Sequence, residues 1–363
     1  MKKITLLATI FIAAMLHISL TFKTLRPEKQ YMGVLWYLPT MTDAQAIGLA
    51  PYDFIVLDYE NFINNPRVID AMLKLNAELQ LYVYLNQTEI FDPMFPDKPW
   101  SIKLLAELKK KPQWWIKQPD GKNIGAWKGM KALDMRSDSP KYDGKNYHEW
   151  IASKYLEILD DPRINGCLVD NAWGDDSVGI SWLATYRGNR GFDFDANGKP
   201  DRNYKEINKT WTSGMRTYLQ TIRKAKGKDF FIITNPGNLS YIKETDCKQL
   251  EDFPYEYHNL GGRSDLRTNL SIASNFKFAI VNPRTEDYFY GACSARLRDN
   301  LFLCVGQNTM YDKKFDLKLG KPKGIAKIEK GFISRAFENG TVFVSLTEKK
   351  SHIEYKDGTK RTK

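Results

Sequence analysis

Cysteine and histidine are both scarce in this chain of 363 residues, which contains only four of each. The cysteines, at positions 167, 247, 293 and 304, follow neither a CxxC nor a Cys/His zinc spacing, so no zinc module is indicated. So few histidines argue against a histidine-rich metal hydrolase or a phosphodiesterase with two catalytic histidines. We expect Cys167 and Cys304 to be small core residues, whereas Cys247 and Cys293 lie near predicted strand ends and could pair in an oxidising compartment.

Glycine-rich phosphate loops are also missing, since neither the GxGxxG nor the Walker spacing occurs. The ends of the strands predicted below do not supply a Ser/His/Asp or Cys/His set for nucleophilic catalysis. No low-complexity linker divides the chain. We therefore expect a protein without a cofactor, in which the chemistry depends on carboxylates, amides and aromatic side chains.

Residues 1–25 have the layout of an export signal or a membrane anchor. Lys2 and Lys3 precede an almost wholly apolar run over residues 4–22, which is also long enough to span a membrane. Secretion with cleavage is the favoured interpretation, although residues 16–19 make a poor cleavage site. An uncleaved anchor, with residues 4–22 as the membrane tether, is the alternative, and a buried helix is the least favoured. Either export route predicts a secreted, periplasmic or cell-envelope protein.

The chain is basic, with a formal net charge of +11, and much of the excess lies in residues 349–363. Such a segment could bind an anionic surface or polymer. A solvated, partly frayed tail is the favoured interpretation. Nucleic acid is not expected as a partner, because basic residues do not alternate with aromatic residues along one face and export disfavours it.

Eight short apolar runs predict β-strands, and most of the segments between them have helical spacing. The predicted strands are residues 32–38, 54–60, 79–86, 166–173, 230–235, 249–254, 277–282 and 301–307. The predicted helices are residues 42–49, 65–75, 147–159, 207–224, 266–275 and 287–298. Alternating strands and helices imply parallel pairing with right-handed crossovers, and eight such units predict an α/β fold, a (β/α)8 TIM barrel over residues 30–310.

Two further segments interrupt or follow this alternation. A long insertion over residues 87–143 contains four tryptophans, of which Trp114 and Trp115 are expected to anchor the loop more than to stack on sugars. After the barrel, the strand-like runs 331–336 and 341–346 flank Asn339-Gly340, a strong hairpin signal. We therefore predict a small β-hairpin appendage over residues 311–348, followed by the basic tail.

Carboxylate, amide and aromatic side chains dominate the predicted C-terminal ends of the strands, where a parallel barrel places its chemistry. Such a rim suits acid–base work on a hydroxyl-rich substrate, with amides binding hydroxyl groups and aromatic faces stacking on sugar rings. The candidate substrate-binding residues are Tyr37, Asp58, Glu60, Asn86, Asp134, Trp173 and Asn235.

Structural alternatives apply to several of these residues. Asp170, which follows the fourth predicted strand, could simply cap the next helix or close a turn. For Asp58 and Glu60, capping of a strand end and substrate binding are equally favoured. Asp134 could line the cleft, but capping of the helix that starts near Tyr147 is favoured.

Residues 193–201 resemble the first nine positions of a calcium loop, with Asp193, Asp195, Asn197 and Asp201 at the ligand positions. The twelfth position is Tyr204 instead of glutamate, which weakens the match. An acidic turn without a metal ion is therefore the favoured interpretation, and a structural Ca²⁺ is the alternative.

The chain resembles glycoside hydrolases of the (β/α)8 class, and is similar to the endo-galactosaminidase-like barrels, in the order of the segments VLDYENF, a Trp-Trp insertion with a D-G turn, ALDMRSDSPKY, GCLVDNAWGD and QLEDFPYE. The later FISRAFENGTVFVSLT is similar to the β segment that follows such barrels. The resemblance implies that the strand-four Asp170 and the strand-six Glu251 are the catalytic carboxylates, with Glu256 as a second acid. It implies the reaction type better than the sugar.

Glu251 is the preferred general acid because it lies between Leu250 and Phe253, and apolar surroundings favour the protonated form. Asp170 would then be the nucleophile or the base, and the reverse assignment is nearly as well supported. Whether the anomeric configuration is retained or inverted depends on the separation of the two carboxyl groups.

The sequence thus predicts an enzyme that hydrolyses glycosidic bonds in a poly- or oligosaccharide. A non-catalytic carbohydrate-binding barrel at the cell surface is the alternative, and a binder of anionic polymer is a third, weaker interpretation of the net charge.

Overall fold

A closed barrel of eight parallel strands forms the centre of the computed structural model. The structure describes residues 26–174, 179–236, 239–254 and 266–362. The barrel strands are β1 (Met32–Trp36), β2 (Phe54–Asp58), β3 (Gln80–Leu85), β4 (Gly166–Val169), β5 (Phe231–Thr234), β6 (Cys247–Phe253), β7 (Phe278–Pro283) and β8 (Leu301–Gln307). Each strand pairs with the next and β8 pairs with β1, which confirms the predicted TIM barrel.

Burial on both faces explains why the barrel strands are continuous apolar runs. All four residues of β4 and all four of β5 are buried. Gly166 begins β4 because a Cβ atom there would lie 2.0 Å from the carbonyl oxygen of Phe231 on β5. Gly166 therefore permits the close approach of the neighbouring strand.

Helices cover the outside of the barrel between most successive strands. They are α1 (Asp43–Leu49), α2 (Glu60–Asn64), α3 (Pro66–Leu75), α4 (Pro99–Leu108), α5 (Tyr147–Leu159), α6 (Tyr204–Lys226), α7 (Leu266–Ala273) and α8 (Tyr288–Ala295). The predicted strand 54–60 ends earlier than expected, because the Asp58 carboxylate accepts a hydrogen bond from the Glu60 backbone N–H at 3.0 Å and the chain turns into α2.

The insertion between β3 and β4 is more ordered than the sequence suggested. It contains α4, which was not predicted, and two short antiparallel strands, Glu89–Phe91 and Met130–Ala132. Trp114 is fully buried and Trp115 is 9% exposed, so both anchor the insertion, as expected. The described helices include none that is long and apolar enough to cross a membrane. Residues 1–25, to which the export prediction applies, lie outside the described residues.

A five-stranded antiparallel sheet follows the barrel. Its strands are β9 (Lys327–Glu329), β10 (Phe332–Ala336), β11 (Gly340–Ser345), β12 (Ser351–Tyr355) and β13 (Lys360–Thr362). The sequence predicts the hairpin of β10 and β11. The prediction of a frayed basic tail over residues 349–363 is wrong, because β12 and β13 lie in this segment. Ser351 and Ile353 of β12 are buried. The turn at residues 357–358 connects β12 to β13, and the pairing of these two strands completes the sheet.

The sheet packs on the barrel through α8. The Tyr290 hydroxyl donates to the Ser345 carbonyl at 3.1 Å. The Arg361 guanidinium lies 4.6 Å from the centre of the Phe289 ring. All four cysteines are buried and free, so the alternative pairing of Cys247 with Cys293 does not occur.

Candidate active site

Alternation along the strands brings the candidate catalytic residues together at the C-terminal end of the barrel. Every second side chain of a barrel strand points inward. Leu168 and Ile233 belong to the apolar cluster inside the barrel. Two residues farther on, the same face carries Asp170 and Asn235, and on β6 it carries Glu251. These side chains therefore form the floor of a cleft above the apolar interior.

Several donors hold the Asp170 carboxylate in one orientation. The Tyr84 hydroxyl donates to Oδ2 at 2.5 Å. The backbone N–H of Asn171, a residue with φ of +53°, donates to Oδ1 at 2.9 Å. The Gln87 amide donates to the backbone carbonyl of Asp170 at 2.7 Å. Both the carboxylate and its main chain are therefore fixed by neighbouring residues.

The side-chain amide of Asn235 bridges the two predicted catalytic carboxylates. Its Nδ2 donates to Asp170 Oδ1 at 2.8 Å and to Glu251 Oε2 at 2.9 Å. Since the two hydrogens of an amide group diverge by about 120°, the two accepting oxygens lie roughly 5 Å apart. The sequence predicted all three residues, but not that one of them connects the other two.

Two tyrosines lie beneath the carboxylates. Burial raises the pKa of Tyr84 and of Tyr37 well above the usual value, and the charge of Asp170 raises both further. Their rings are in edge-to-face contact, with centres 4.8 Å apart. Tyr84 therefore keeps its proton across the physiological range and remains a hydrogen-bond donor to Asp170.

An open cleft of about 380 Å³ lies above the carboxylates. Four aromatic side chains and two arginines contribute to its walls. Asp252, next to Glu251, accepts two hydrogen bonds from Arg284, each of 3.1 Å. The residues that line the cleft in the described part of the chain are Trp127, Asp170, Asn171, Trp173, Trp182, Tyr186, Arg187, Asn235, Pro236, Glu251, Asp252 and Arg284.

A second, smaller cavity of about 100 Å³ lies beside the cleft, behind Tyr84. Asp58 lines it and forms an ion pair with Lys98. Glu89 also lines it and is 5% exposed. Its Oε1 accepts the Ala126 N–H at 2.5 Å, whereas Oε2 has no hydrogen-bond partner. Burial, with a smaller effect from Asp170, raises the pKa of Glu89 to about 7.

Two predicted substrate-binding carboxylates are in the protein interior. Glu60 is fully buried, and its carboxylate accepts hydrogen bonds from the Ser101 N–H at 2.9 Å and the Tyr59 hydroxyl at 2.9 Å. Asp134 is 2% exposed and accepts two 2.9 Å hydrogen bonds from the Arg136 guanidinium. Both carboxylates thus hold the insertion in place, which corrects the expectation that Glu60 and Asp134 contact a substrate. The favoured structural role of Asp134 is observed, but as a partner of Arg136, because Asn146 caps the helix that starts at Tyr147.

The other predicted binding residues lie at or near the two cavities. Trp173 lines the large cleft, and Asn86 lines the small cavity. The Asn86 side-chain oxygen accepts the Thr88 N–H at 3.3 Å, so it also closes a turn. Tyr37 lies beneath the cleft, and Glu256 lies outside the described residues.

The predicted calcium loop brings three carboxylates together. Asp193, Asp195 and Asp201 each place one oxygen within 4.8 Å of the others. Asp193 accepts the Asn197 N–H at 3.0 Å and the Gly198 N–H at 3.0 Å. These hydrogen bonds stabilise the turn through its own backbone.

Several residues around the cleft were missed by the sequence reasoning. Tyr84 could have been found, because it lies on the inward face two residues after Tyr82. The insertion supplies Trp127, and the segment between β4 and α6 supplies Trp182 and Arg187. Nothing in the local sequence pattern of these residues indicates a cleft.

Comparison with known proteins supports the fold. No protein-family profile and no curated protein matches the chain. A GH31 dextranase from Flavobacterium johnsoniae, complexed with glucose, is similar in structure with a TM-score of 0.51 and 12% identity over 90% of this chain and 47% of the dextranase. A GH31 family sulfoquinovosidase from E. rectale, in complex with an aza-sugar inhibitor, has a TM-score of 0.50 and 13% identity over 80% of this chain and 45% of its own. The chain spans about half the length of these two structures.

Proposed function

We propose that the protein hydrolyses glycosidic bonds and retains the anomeric configuration of its substrate. The observation that supports this best is the pair of carboxylates, Asp170 and Glu251, bridged by one amide group of Asn235. A separation of roughly 5 Å between carboxyl groups is typical of retaining glycosidases, whereas inverting enzymes need about 6.5–9.5 Å to hold a water molecule.

In this proposal Asp170 is the nucleophile, because hydrogen bonds from Tyr84, Asn171 and Asn235 hold its carboxylate in one orientation. Asp170 forms a bond to the anomeric carbon while Glu251 donates its proton to the departing glycosidic oxygen, which leaves as an alcohol. Glu251, now a carboxylate, then takes a proton from water as the water oxygen attacks the same carbon. The ester bond to Asp170 breaks, and the sugar leaves with Glu251 protonated again.

Access from the cleft, and not apolar surroundings, is the structural reason for assigning Glu251 as the general acid. Leu250 is fully buried in the outer core, while Glu251 is partly exposed at the cleft, so the apolar neighbour does not surround the carboxyl group. Glu251 faces the open cleft, where a leaving group and a water molecule can reach it. That access suits a group that must donate and then accept a proton.

Aromatic walls support a sugar substrate, since ring faces pack on the C–H faces of sugars. Trp127, Trp173 and Trp182 all line the cleft. The two named GH31 structures act on sugars, and their similar barrels agree with this substrate class. The sequence resemblance to endo-galactosaminidase-like barrels makes an amino-sugar polymer the first candidate for assay.

We expect the protein to release reducing ends from at least one member of a panel of amino-sugar, neutral and acidic polysaccharides. The first-formed product should have the substrate's anomeric configuration, which proton NMR during the reaction would reveal. An inverted product would contradict the assigned roles.

The control is the double variant Asp170→Asn/Glu251→Gln, which should fold and cleave nothing. Should the native chain bind a polysaccharide tightly by affinity electrophoresis, without releasing reducing ends from any substrate, the non-catalytic carbohydrate-binding barrel would replace this proposal.

Removing the Tyr84 hydroxyl should slow the reaction without unfolding the protein. Tyr84→Phe deletes the donor to Asp170 Oδ2, and a hydrogen bond to a charged group is worth about 1.5–3 kcal/mol. We therefore expect kcat/KM to fall about 10- to 100-fold. Tyr82→Phe, one layer deeper in the barrel, is the matched control, and equal losses in the two variants would contradict the role of Tyr84.

A further inference from the structure

Arg187 is the feature of the cleft that the proposed reaction does not use. It is exposed and has a φ of +52°, a left-handed conformation that is unfavourable for a residue with a Cβ atom. Its guanidinium carbon lies 4.8 Å from the centre of the Trp127 ring and 5.4 Å from that of Tyr186. An unfavourable backbone conformation thus accompanies the placement of a cation on an aromatic surface at the cleft.

The two arginines of the cleft differ in their charge partners. Arg284 donates two hydrogen bonds to Asp252, so its charge is matched within the protein. Across the described ranges, 26–174, 179–236, 239–254 and 266–362, Arg187 has no carboxylate within ion-pair distance. Since Arg187 lines the cleft, its guanidinium lies within reach of a ligand there.

The aromatic contacts leave the N–H groups of Arg187 free to bind a ligand. The rings of Trp127 and Tyr186 are inclined at 76° to each other, so the guanidinium contacts both rings without lying flat on both. Among the described residues, none accepts a hydrogen bond from its N–H groups. Those N–H bonds match the geometry of a carboxylate or sulfate, which they can bind with two hydrogen bonds. Because the rings already restrict the side chain, less rotational freedom is lost on binding.

We propose that Arg187, with Trp127 and Tyr186, forms a subsite for a sugar that carries an oxyanion, a carboxylate or a sulfate. A sugar ring packs on the exposed face of Trp127, which is 42% exposed, while its anionic group binds Arg187. The cationic subsite also offsets the repulsion that the Asp170 carboxylate would exert on an acidic polymer. This inference rests on the proposed function only for the cleavage of the bound polymer, and not for its binding.

Binding to matched polysaccharides tests the subsite. The probes are polygalacturonate and unsulfated chondroitin, each compared with its carboxyl-reduced, neutral derivative, and chondroitin sulfate as the sulfate arm. Dissociation constants are measured by affinity electrophoresis in an Asp170→Asn background, which prevents cleavage. We expect at least one acidic polymer to bind about tenfold more tightly than its neutral counterpart, and the arm that binds identifies carboxylate or sulfate.

Variants of two arginines on the same loop separate the subsite from general charge effects. Arg187→Gln should abolish the preference for the acidic polymer, and Arg190→Gln, which removes an equal charge outside the cleft, should retain it. Equal binding within every pair, absence of binding to all the acidic polymers, or equal losses in the two variants would overturn the inference. If the native chain hydrolysed only neutral polymers, the proposed function would stand and the subsite would be rejected. If an acidic polymer bound through Arg187 but the native chain hydrolysed nothing, the subsite would stand and the proposed function would be rejected.

Discussion

Asp170→Ala should lower kcat by at least about 10⁴-fold, and added azide should restore turnover with the opposite anomeric configuration in the product. A loss of that size corresponds to about 5.5 kcal/mol of transition-state stabilisation, which is typical for the nucleophile of a covalent mechanism. Removing the side chain leaves a space beneath the anomeric carbon that a small anion can enter. Azide then attacks once from the face that Asp170 used, so the glycosyl azide is inverted.

Glu251→Ala should respond differently to the same anion. With an aryl glycoside whose leaving group needs no proton, Asp170 still forms the glycosyl intermediate, and azide attacks it from the face where Glu251 stood. Two displacements give a glycosyl azide with retained configuration. The measurement is NMR of the isolated azide product from each variant, with Glu329→Gln, an exposed residue of β9, as the control for loss of a carboxylate.

The configuration of the two products assigns the roles independently of any rate. If Asp170→Ala gave the retained azide and Glu251→Ala the inverted one, the nucleophile and the acid would have to be exchanged. If neither variant lost activity, the bridged pair would not be the catalytic pair. The loss of rate alone does not make this distinction, because removing either carboxylate slows hydrolysis of an ordinary glycoside.

The sequence predicted the barrel because parallel strands that are buried on both faces appear as isolated apolar runs. It also predicted Asp170 and Asn235, since each directly follows such a run. Their meeting with Glu251 depends on the relative register of β4, β5 and β6, in which Val169 pairs with Thr234 and Thr234 with Lys248. No local pattern encodes that register, so the bridge by Asn235 could not be predicted.

The wrong predictions have physical reasons too. Glu60 follows a strand end like a binding residue, but its backbone turns it inward, where Ser101 of the insertion donates to it. The basic segment after residue 349 looked solvated because its charges outnumber its apolar residues. Its Asp357-Gly358 pair is a hairpin signal, and Ile353 alone supplies the fully buried position of β12.

Glu89→Gln should stabilise the protein by about 3 kcal/mol at pH 8 relative to the native chain, with little difference at pH 4.5. The folded-state pKa of Glu89, about 7, lies above its ordinary value of 4.5, so the folded chain binds the proton more tightly than the unfolded chain. The stability contributed by the protonated carboxyl group is fully present below about pH 4.5 and is lost as the pH rises through 7. The difference between a pKa of 4.5 in the unfolded chain and about 7 in the folded chain corresponds to about 3 kcal/mol.

The structure explains why glutamine can replace this acid. Its side-chain oxygen can accept the Ala126 N–H as Oε1 does, and its amide nitrogen takes the place of Oε2, which lacks a partner. The variant therefore mimics the protonated acid at every pH. Urea unfolding between pH 4.5 and 8 measures the difference in free energy of unfolding, and subtracting the native curve removes the titration of the other groups.

Glu329→Gln, which removes an exposed carboxylate, is the matched control and should give a curve parallel to that of the native chain. A parallel curve for Glu89→Gln as well would show that Glu89 titrates alike in the folded and unfolded chains. The negative charge of Asp170 is a second, smaller cause of the raised pKa of Glu89. Asp170→Asn should consequently reduce the stabilisation gained from Glu89→Gln, because one of the two causes of the raised pKa is then absent.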